Sequence, residues 1–240
     1  MSELLLIPIA FFTSTLAAAI GLGGGVLLIA LMPGLIPTAA IIPVHAVTQL
    51  ASNASRAAFG WRLIDWRLMA PVLAGALLGA WFGAEIYSRL DLRWLPAVIG
   101  GLILLLTWLP VPAPRGKGSG ALLALGFYQT GLGMVAGATG PLGAAVLARY
   151  RADRDWLVVN TGMYMTINHL LRSLAFGLLG FVFIPWLGLI AGMVAASIAG
   201  SWAGTRVRRF LPQRNFQMAF KVLVSLLALR MIALPMLQAG

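Results

Sequence analysis

The residues best suited to chemistry form two polar stripes, each within an otherwise apolar stretch. In residues 39–60 the stripe has helical spacing and comprises His45, Thr48, Gln49, Ser52 and Arg56, with Asn53 beside it. In residues 157–177 it comprises Thr161, Tyr164, Asn168 and Arg172, with His169 beside it. Side chains at this spacing share one face of a helix. Polar and ionisable groups inside a membrane-spanning helix are costly, so both stripes are candidate binding sites.

The chemistry of these stripes favours an anion. They offer amides, imidazoles and two guanidinium groups, whereas all six acidic residues of the chain fall at the ends of apolar stretches or in loops. Cations and donors without a carboxylate attract negative charge. If transport is coupled to protons, His45 and His169 are the groups available to carry them. Each residue also has a structural alternative: Arg56 can extend to the cytoplasmic interface, and each histidine can simply bond a neighbouring helix.

Two glycine-rich clusters precede the stripes, "GLGGG" at residues 21–25 and "GATGPLG" at residues 137–143. Glycine supplies the tight backbone angles of a turn, so each cluster predicts the tip of a re-entrant hairpin near mid-membrane. The helix that restarts after each tip would present free amides and a positive dipole end to an anion. The predicted substrate-binding set has twelve residues, drawn from the two clusters and the two stripes: Gly23, Gly24, Gly25, His45, Gln49, Asn53, Arg56, Thr139, Gly140, Asn168, His169 and Arg172. The alternative is close packing between membrane helices.

The composition requires that these sites lie in a membrane. Of 240 residues, 60% are hydrophobic and 10% are charged, and the mean hydropathy is +0.94. Eight apolar stretches fall at about 4–32, 39–60, 68–88, 94–112, 120–148, 157–177, 184–205 and 215–238. This pattern predicts an all-α polytopic membrane protein. The net charge of +11 is spread over short loops, so it indicates membrane orientation and not nucleic-acid binding.

The two halves of the chain predict an inverted repeat. At an offset of 116 residues Gly24 meets Gly140 and Arg56 meets Arg172. If the stretches 4–32 and 120–148 are hairpins that return to the face they entered, the strongly basic loops all lie on the cytoplasmic side. Each half then has one glycine-rich hairpin plus three crossings, which gives the halves opposite orientations. The predicted units are residues 1–112, a cytoplasmic linker at 113–119, and residues 120–240.

The sequence resembles the TauE/SafE family of bacterial sulfite and organosulfonate transporters over essentially its whole length. The resemblance is carried by "GLGGGVLLIALM", by "ASNASRAAFGW" (Ala51–Trp61), and by "GATGP" followed by "NHLLRSLAFG" (Asn168–Gly177). It implies a protein of the bacterial inner membrane that moves a sulfur-containing oxyanion. By motif, the resemblance carries functional positions over to Gly23, Gly24, Asn53, Arg56, Gly140 and Arg172.

The sequence therefore predicts a secondary transporter whose anion binds at mid-membrane between the two hairpin tips. The partners expected are a small inorganic or organic anion and the lipid bilayer, with no cofactor, no metal and no nucleic acid; a homodimer is one option for the oligomeric state. Two other classes stay open, an intramembrane enzyme and a non-transporting membrane scaffold. The chain has no cysteine and no acidic residue in the stripes, which gives an enzyme few catalytic groups.

Overall fold

The computed structural model of the chain describes residues 2–20, 23–109, 118–139, 142–207 and 216–237. Within these ranges the chain is helical and contains no β-strand. Five helices there are long and apolar enough to cross a membrane, and a sixth, Leu92–Trp108, is apolar but shorter. The all-α polytopic membrane fold predicted from the sequence is therefore confirmed.

Ten α-helices follow one another along the described part of the chain. The first five are α1 (Leu6–Ile20), α2 (Gly24–Leu31), α3 (Thr38–Phe59), α4 (Trp66–Ser88) and α5 (Leu95–Trp108). The other five are α6 (Ser119–Ala136), α7 (Leu142–Leu147), α8 (Arg154–Leu178), α9 (Leu187–Val207) and α10 (Phe216–Leu237). Short 3-10 helices occupy Ser2–Leu5, Trp61–Leu63, Leu92–Trp94 and Ile184–Trp186. The predicted stretches match these helices to within a few residues, and each predicted hairpin is divided at its glycine cluster.

The main helix–helix interfaces join the first five helices to the second five. Helix α1 packs against α9, α4 against α6, α3 against α8, and α5 against α10. If α1 to α5 are matched in order with α6 to α10, each of these pairs has its counterpart in the same set. For example, α1 with α9 corresponds to α6 with α4. The hydrophobic core is therefore built between the halves. The division into repeats 1–112 and 120–240 remains a prediction, and residues 113–117 of the predicted linker lie outside the described residues.

Helix directions support the predicted inversion. Helices α3 and α8 are antiparallel, because His45 contacts His169 while Asn53 lies against Gly162. Helices α5 and α10 are also antiparallel, with Gly100 against Ala228 and Trp108 bonded to Ser225. A two-fold axis perpendicular to the helices makes each helix of the first half antiparallel to the helix that corresponds to it in the second half. The orientation of each half relative to the bilayer remains a prediction.

Three of the six acidic residues act as helix caps. The carboxylates of Asp65, Asp91 and Asp153 accept hydrogen bonds from the backbone amides of Arg67, Arg93 and Trp156 at 3.2, 2.9 and 2.8 Å. Such caps satisfy amides that have no partner within the helix. These carboxylates are therefore engaged at helix ends, away from the polar stripes of α3 and α8.

Candidate functional site

The first glycine cluster makes an asymmetric hairpin. Helix α1, with its preceding 3-10 turn, is long enough to span a membrane, whereas α2 has only eight residues. Gly23 precedes α2 with φ of 92°, a left-handed conformation that favours glycine. A Cβ atom on Gly24 would overlap the backbone carbonyl of Thr13. The two glycines thus let α2 turn back closely along α1.

Helix α2 begins beside the middle of α3. The carbonyl oxygen of Gly25 accepts a hydrogen bond from His45 Nε2 at 2.9 Å, and a Cβ on Gly25 would lie 3.1 Å from Gln49 Oε1. Helix α1 extends further, since its last turn reaches Arg56 near the end of α3 and Arg154 at the start of α8. The short helix therefore starts level with the middle of α3, while the long helix passes that level.

A cavity lies where this hairpin meets α3 and α8. Its volume is about 50 Å³; since one water needs roughly 10–15 Å³ on such a measure, a few waters or one small anion would fill it. Nine of the twelve predicted site residues line it: Gly23, Gly24, Gly25, His45, Gln49, Asn53, Arg56, Thr139 and His169. The remaining lining residues are Ala17, Val26, Ala138, Thr161, Tyr164 and Met165.

Several donors face the cavity. Arg56 Nη1 donates to Ala17 O at 3.0 Å and its Nη2 to Asn53 Oδ1, which fixes the guanidinium at the cavity wall. Tyr164 accepts a hydrogen bond from Gln129 Nε2 at 2.9 Å, so its own hydroxyl hydrogen can be donated to a ligand. Gln49 is buried, and no hydrogen bond to another described residue occupies its side-chain amide.

The two histidines of the chain meet at the crossing of α3 and α8. Their ring centroids are 5.9 Å apart, in an edge-to-face arrangement. His45 Nε2 carries a hydrogen, because its partner is a carbonyl oxygen, and His45 Nδ1 is buried with no partner among the described residues. His169 Nδ1 lies 3.2 Å from Arg172 Nη1. A guanidinium only donates, so His169 Nδ1 is the acceptor in this pair.

Two predicted site residues lie behind the cavity wall. Arg172 is buried and touches His169, and its Nε and Nη2 atoms have no partner among the described residues. Asn168 accepts a hydrogen bond from Thr130 Oγ1 at 2.6 Å and so faces α6. Neither is among the lining residues, and their assignment to the substrate remains a prediction. Gly140, the twelfth predicted residue, lies outside the described residues.

The cavity is lined by corresponding residues of both halves. At the 116-residue offset, four pairs have both members in the lining: Gly23 with Thr139, His45 with Thr161, Gln49 with Met165, and Asn53 with His169. The arginines break this rule, since Arg56 lines the cavity and Arg172 does not. The site therefore lies between the two halves but is chemically unequal on its two sides.

The electrostatics of the cavity favour negative charge. No carboxylate is among the lining residues, and the ion pairs Arg89–Glu85 and Arg93–Asp91 are both exposed. Within the same ranges, no group of three or more metal-ligating side chains is gathered together. A buried guanidinium beside neutral donors creates a positive potential in a medium of low dielectric.

Four lining residues carried no chemical signal in the sequence. Ala17, Val26, Ala138 and Met165 are apolar and contribute shape to the cavity. Thr161 and Tyr164 belong to the predicted polar stripe of α8, so periodicity alone was sufficient to find them. Ala138 follows the second glycine cluster's first residue, and its position beside the cavity depends on tertiary packing that no local pattern encodes.

Comparison with known proteins identifies the family of this chain. The family model described as "Sulfite exporter TauE/SafE" matches residues 6–231. No match was found among curated proteins or among solved structures. The family match covers nearly the whole chain, including both glycine clusters and both polar helices. The chain is therefore a membrane protein that belongs to the sulfite exporter TauE/SafE family of transporters.

Proposed function

We propose that this protein is a secondary transporter of the bacterial inner membrane that carries a small sulfur-containing oxyanion, such as sulfite or a sulfonate. The observation that carries the proposal is the central cavity, which combines Arg56 and several neutral donors with no carboxylate. The family match supports the substrate class. An oxyanion accepts several hydrogen bonds and offers few, so this set of donors suits its chemistry.

The anion would bind between the start of α2 and the facing walls of α3 and α8. The first amides of α2 have no partner within their helix, and the positive end of the helix dipole lies at the same place. Arg56, Gln49 and Tyr164 add donors from two directions. Because the cavity is narrow, the anion would exchange much of its hydration shell for these groups.

Alternating access fits the position of the cavity between the halves. The helices that line it come from both halves, and rocking of one half against the other would expose it to each side of the membrane in turn.

Flux into liposomes tests this function directly. Purified protein in liposomes should transport radiolabelled sulfite, thiosulfate or methanesulfonate faster than protein-free liposomes, and should discriminate against small carboxylates. Absence of flux for every sulfur oxyanion, with folded protein, would contradict the proposal. Turnover of one of these anions to a new product would instead favour an intramembrane enzyme.

Gln49→Leu tests the cavity itself. Removing a donor to a charged ligand costs about 1.5–3 kcal/mol, so the apparent affinity for the anion should fall about ten- to a hundredfold. Thr48→Val is the matched control, because Thr48 is the adjacent buried residue and bonds Val44 O outside the cavity. Equal affinity losses in both variants would show that general disturbance of α3, and not the cavity, is responsible.

A further inference from the structure

The two halves hold their buried arginines in the same way but with different acceptors. At the 116-residue offset Arg56 corresponds to Arg172 and Asn53 to His169. In each half the arginine bonds the residue three positions before it on its own helix. Each also packs against the end of the long hairpin helix, Arg56 at Ala17 and Arg172 at the corresponding Gly133.

The acceptors differ in how they respond to a proton. Asn53 Oδ1 is an amide oxygen, which accepts a hydrogen bond at any physiological pH. His169 Nδ1 accepts from Arg172 only while the imidazole is neutral, since a protonated ring has a donor at both nitrogens. The hydrogen bond from Arg56 to Asn53 therefore persists at any physiological pH, whereas the bond from Arg172 to His169 forms only while the imidazole is neutral.

Arg172 is poorly satisfied in its present position. Its Nη1 contacts His169, while Nε and Nη2 are buried and unpartnered among the described residues. A buried charge with unmet donors is costly. Its counterpart Arg56 lines the cavity, and so does His169, the residue that Arg172 contacts. Release from His169 would free Arg172 to approach an anion there.

The surroundings of His169 supply positive charge and no acid. Arg172 lies on the same helix, and His45 and Arg56 face it from α3. Tyr164, one turn earlier on α8, is the remaining titratable side chain that lines the cavity. From α4 and α6, which also pack on α8, the described residues bring no titratable group to His169; Tyr87 of α4 packs on Phe176 instead. An additional positive charge there requires an anion nearby.

We propose that His169 binds a proton that is transported together with the anion, and that protonation of its Nδ1 releases Arg172 toward the cavity. This inference rests on the proposed transport function and specifies its coupling ion. The proton enters from water on the open side and adds to the Nδ1 lone pair; on the other side it returns to water as the anion leaves. The Arg172 contact then forms again on the neutral ring.

The test is accumulation of the anion against its own gradient. With the membrane potential held at zero, one proton per anion supports about a tenfold accumulation on the alkaline side for each pH unit. Sulfite, thiosulfate and methanesulfonate serve as probes. Thiosulfate and methanesulfonate stay ionised over the pH range used. Sulfite changes its own protonation with pH, but this effect is the same for every variant. The plateau reports coupling and does not depend on the transport rate.

His169→Asn replaces the imidazole that accepts from Arg172 with an amide, the group with which Asn53 accepts from Arg56. The variant should still equilibrate the anion down its gradient, more slowly than the parent because His169 lines the cavity, but it should lose the pH-driven accumulation, so its plateau ratio falls from about ten to about one per pH unit. His169→Gln should behave alike. His45→Gln, which removes the other cavity histidine, should slow transport but keep the tenfold plateau.

Three results would overturn the proposal. These are a tenfold plateau that persists in folded His169→Asn, a plateau that is lost in His45→Gln but kept in His169→Asn, and complete loss of downhill flux in both folded His169 variants. Parent protein that transports anions downhill but never accumulates them would overturn the proton coupling and leave the transport function intact. Parent protein without any flux would instead contradict the transport function itself.

Discussion

Gly24 and Gly25 are neighbours in sequence, but an added methyl group meets different surroundings at each. At Gly24 the Cβ would overlap the carbonyl of Thr13, which belongs to the backbone of α1 and cannot move aside alone. At Gly25 it would meet Gln49 Oε1 at 3.1 Å, the end of a flexible side chain facing the cavity. Of the two, only Gly25 can therefore be replaced by alanine with an effect confined to the cavity.

Gly25→Ala should yield a folded transporter with weakened anion affinity, because the methyl group enters the cavity and displaces Gln49. Gly24→Ala should destabilise the protein by about 1–3 kcal/mol, as overpacked sites do. Thermal unfolding in detergent and anion affinity, measured on both variants, separate the two effects. Lower thermal stability of Gly25→Ala than of Gly24→Ala would show that these glycine surroundings are wrong.

For individual residues, the sequence predicted which polar groups lie on the inner faces of α3 and α8, but not which of their side chains point into the cavity. The stripe on α3 was predictable, since periodicity places His45, Gln49 and Arg56 on one face and all three line the cavity. Arg172 obeys the same periodicity yet points behind the wall. Its direction depends on the shape of α6 at Gly133, which is a tertiary contact without a local signal.

Among the elements, α4 and α6 show what the glycines outside the site do. Gly75 of α4 would overlap the carbonyl of Leu123 if it gained a Cβ, and Gly126 of α6 would overlap that of Val72. The two backbones are therefore in direct contact, the arrangement that small residues permit between membrane helices. Gly75 and Gly126 therefore serve packing, whereas Gly24 both packs against α1 and lines the cavity.

Gly75→Ala should lower the thermal stability of the purified protein, by an amount corresponding to about 1–3 kcal/mol. Gly101→Ala on α5 is the matched control, since a Cβ there meets nothing within 4 Å, and replacing glycine in a helix should be neutral or stabilising by about 0.4–1 kcal/mol. Melting curves of both variants in one detergent decide the matter. A stable Gly75→Ala protein would show that α4 and α6 can separate freely.

The boundaries of the elements were the most predictable part of the fold. Apolar length alone placed α3, α4, α8 and α10 to within a few residues. The sequence did not indicate that α1 passes the level at which α2 begins. That asymmetry arises because Arg56 and Arg154 bind the last carbonyls of α1, and these bonds join residues far apart in sequence.

For the whole molecule, orientation in the bilayer follows from its cationic loops and aromatic residues. Arg62 stacks on Trp61 and Arg206 on Trp202 at one end of the helices, where the loops are most basic. Pairs of this kind suit the interface between lipid and water, and basic loops prefer the cytoplasm. This end is therefore expected to be cytoplasmic.

Cysteine labelling from outside tests that orientation in this naturally cysteine-free chain. Ala152→Cys, in the loop before α8, should be protected from a membrane-impermeant thiol reagent in intact cells. Val182→Cys, between α8 and α9, should react, because Val182 is 60% exposed. Val182 is a better position than the nearby Gly180, whose left-handed backbone would be strained by a cysteine. The opposite pattern of reactivity would reverse the assigned topology.

Helices α3 and α8 stand apart from their neighbours in one respect that bears on biosynthesis. Neither is among the helices apolar enough by composition to span a membrane, because each carries a stripe of polar residues. Alone in lipid, α3 would present His45, Gln49 and Arg56 to hydrocarbon. It is synthesised more than a hundred residues before α8. We therefore expect the nascent chain to hold α3 at the translocon or at the bilayer surface until α8 emerges, so that the two insert as a pair.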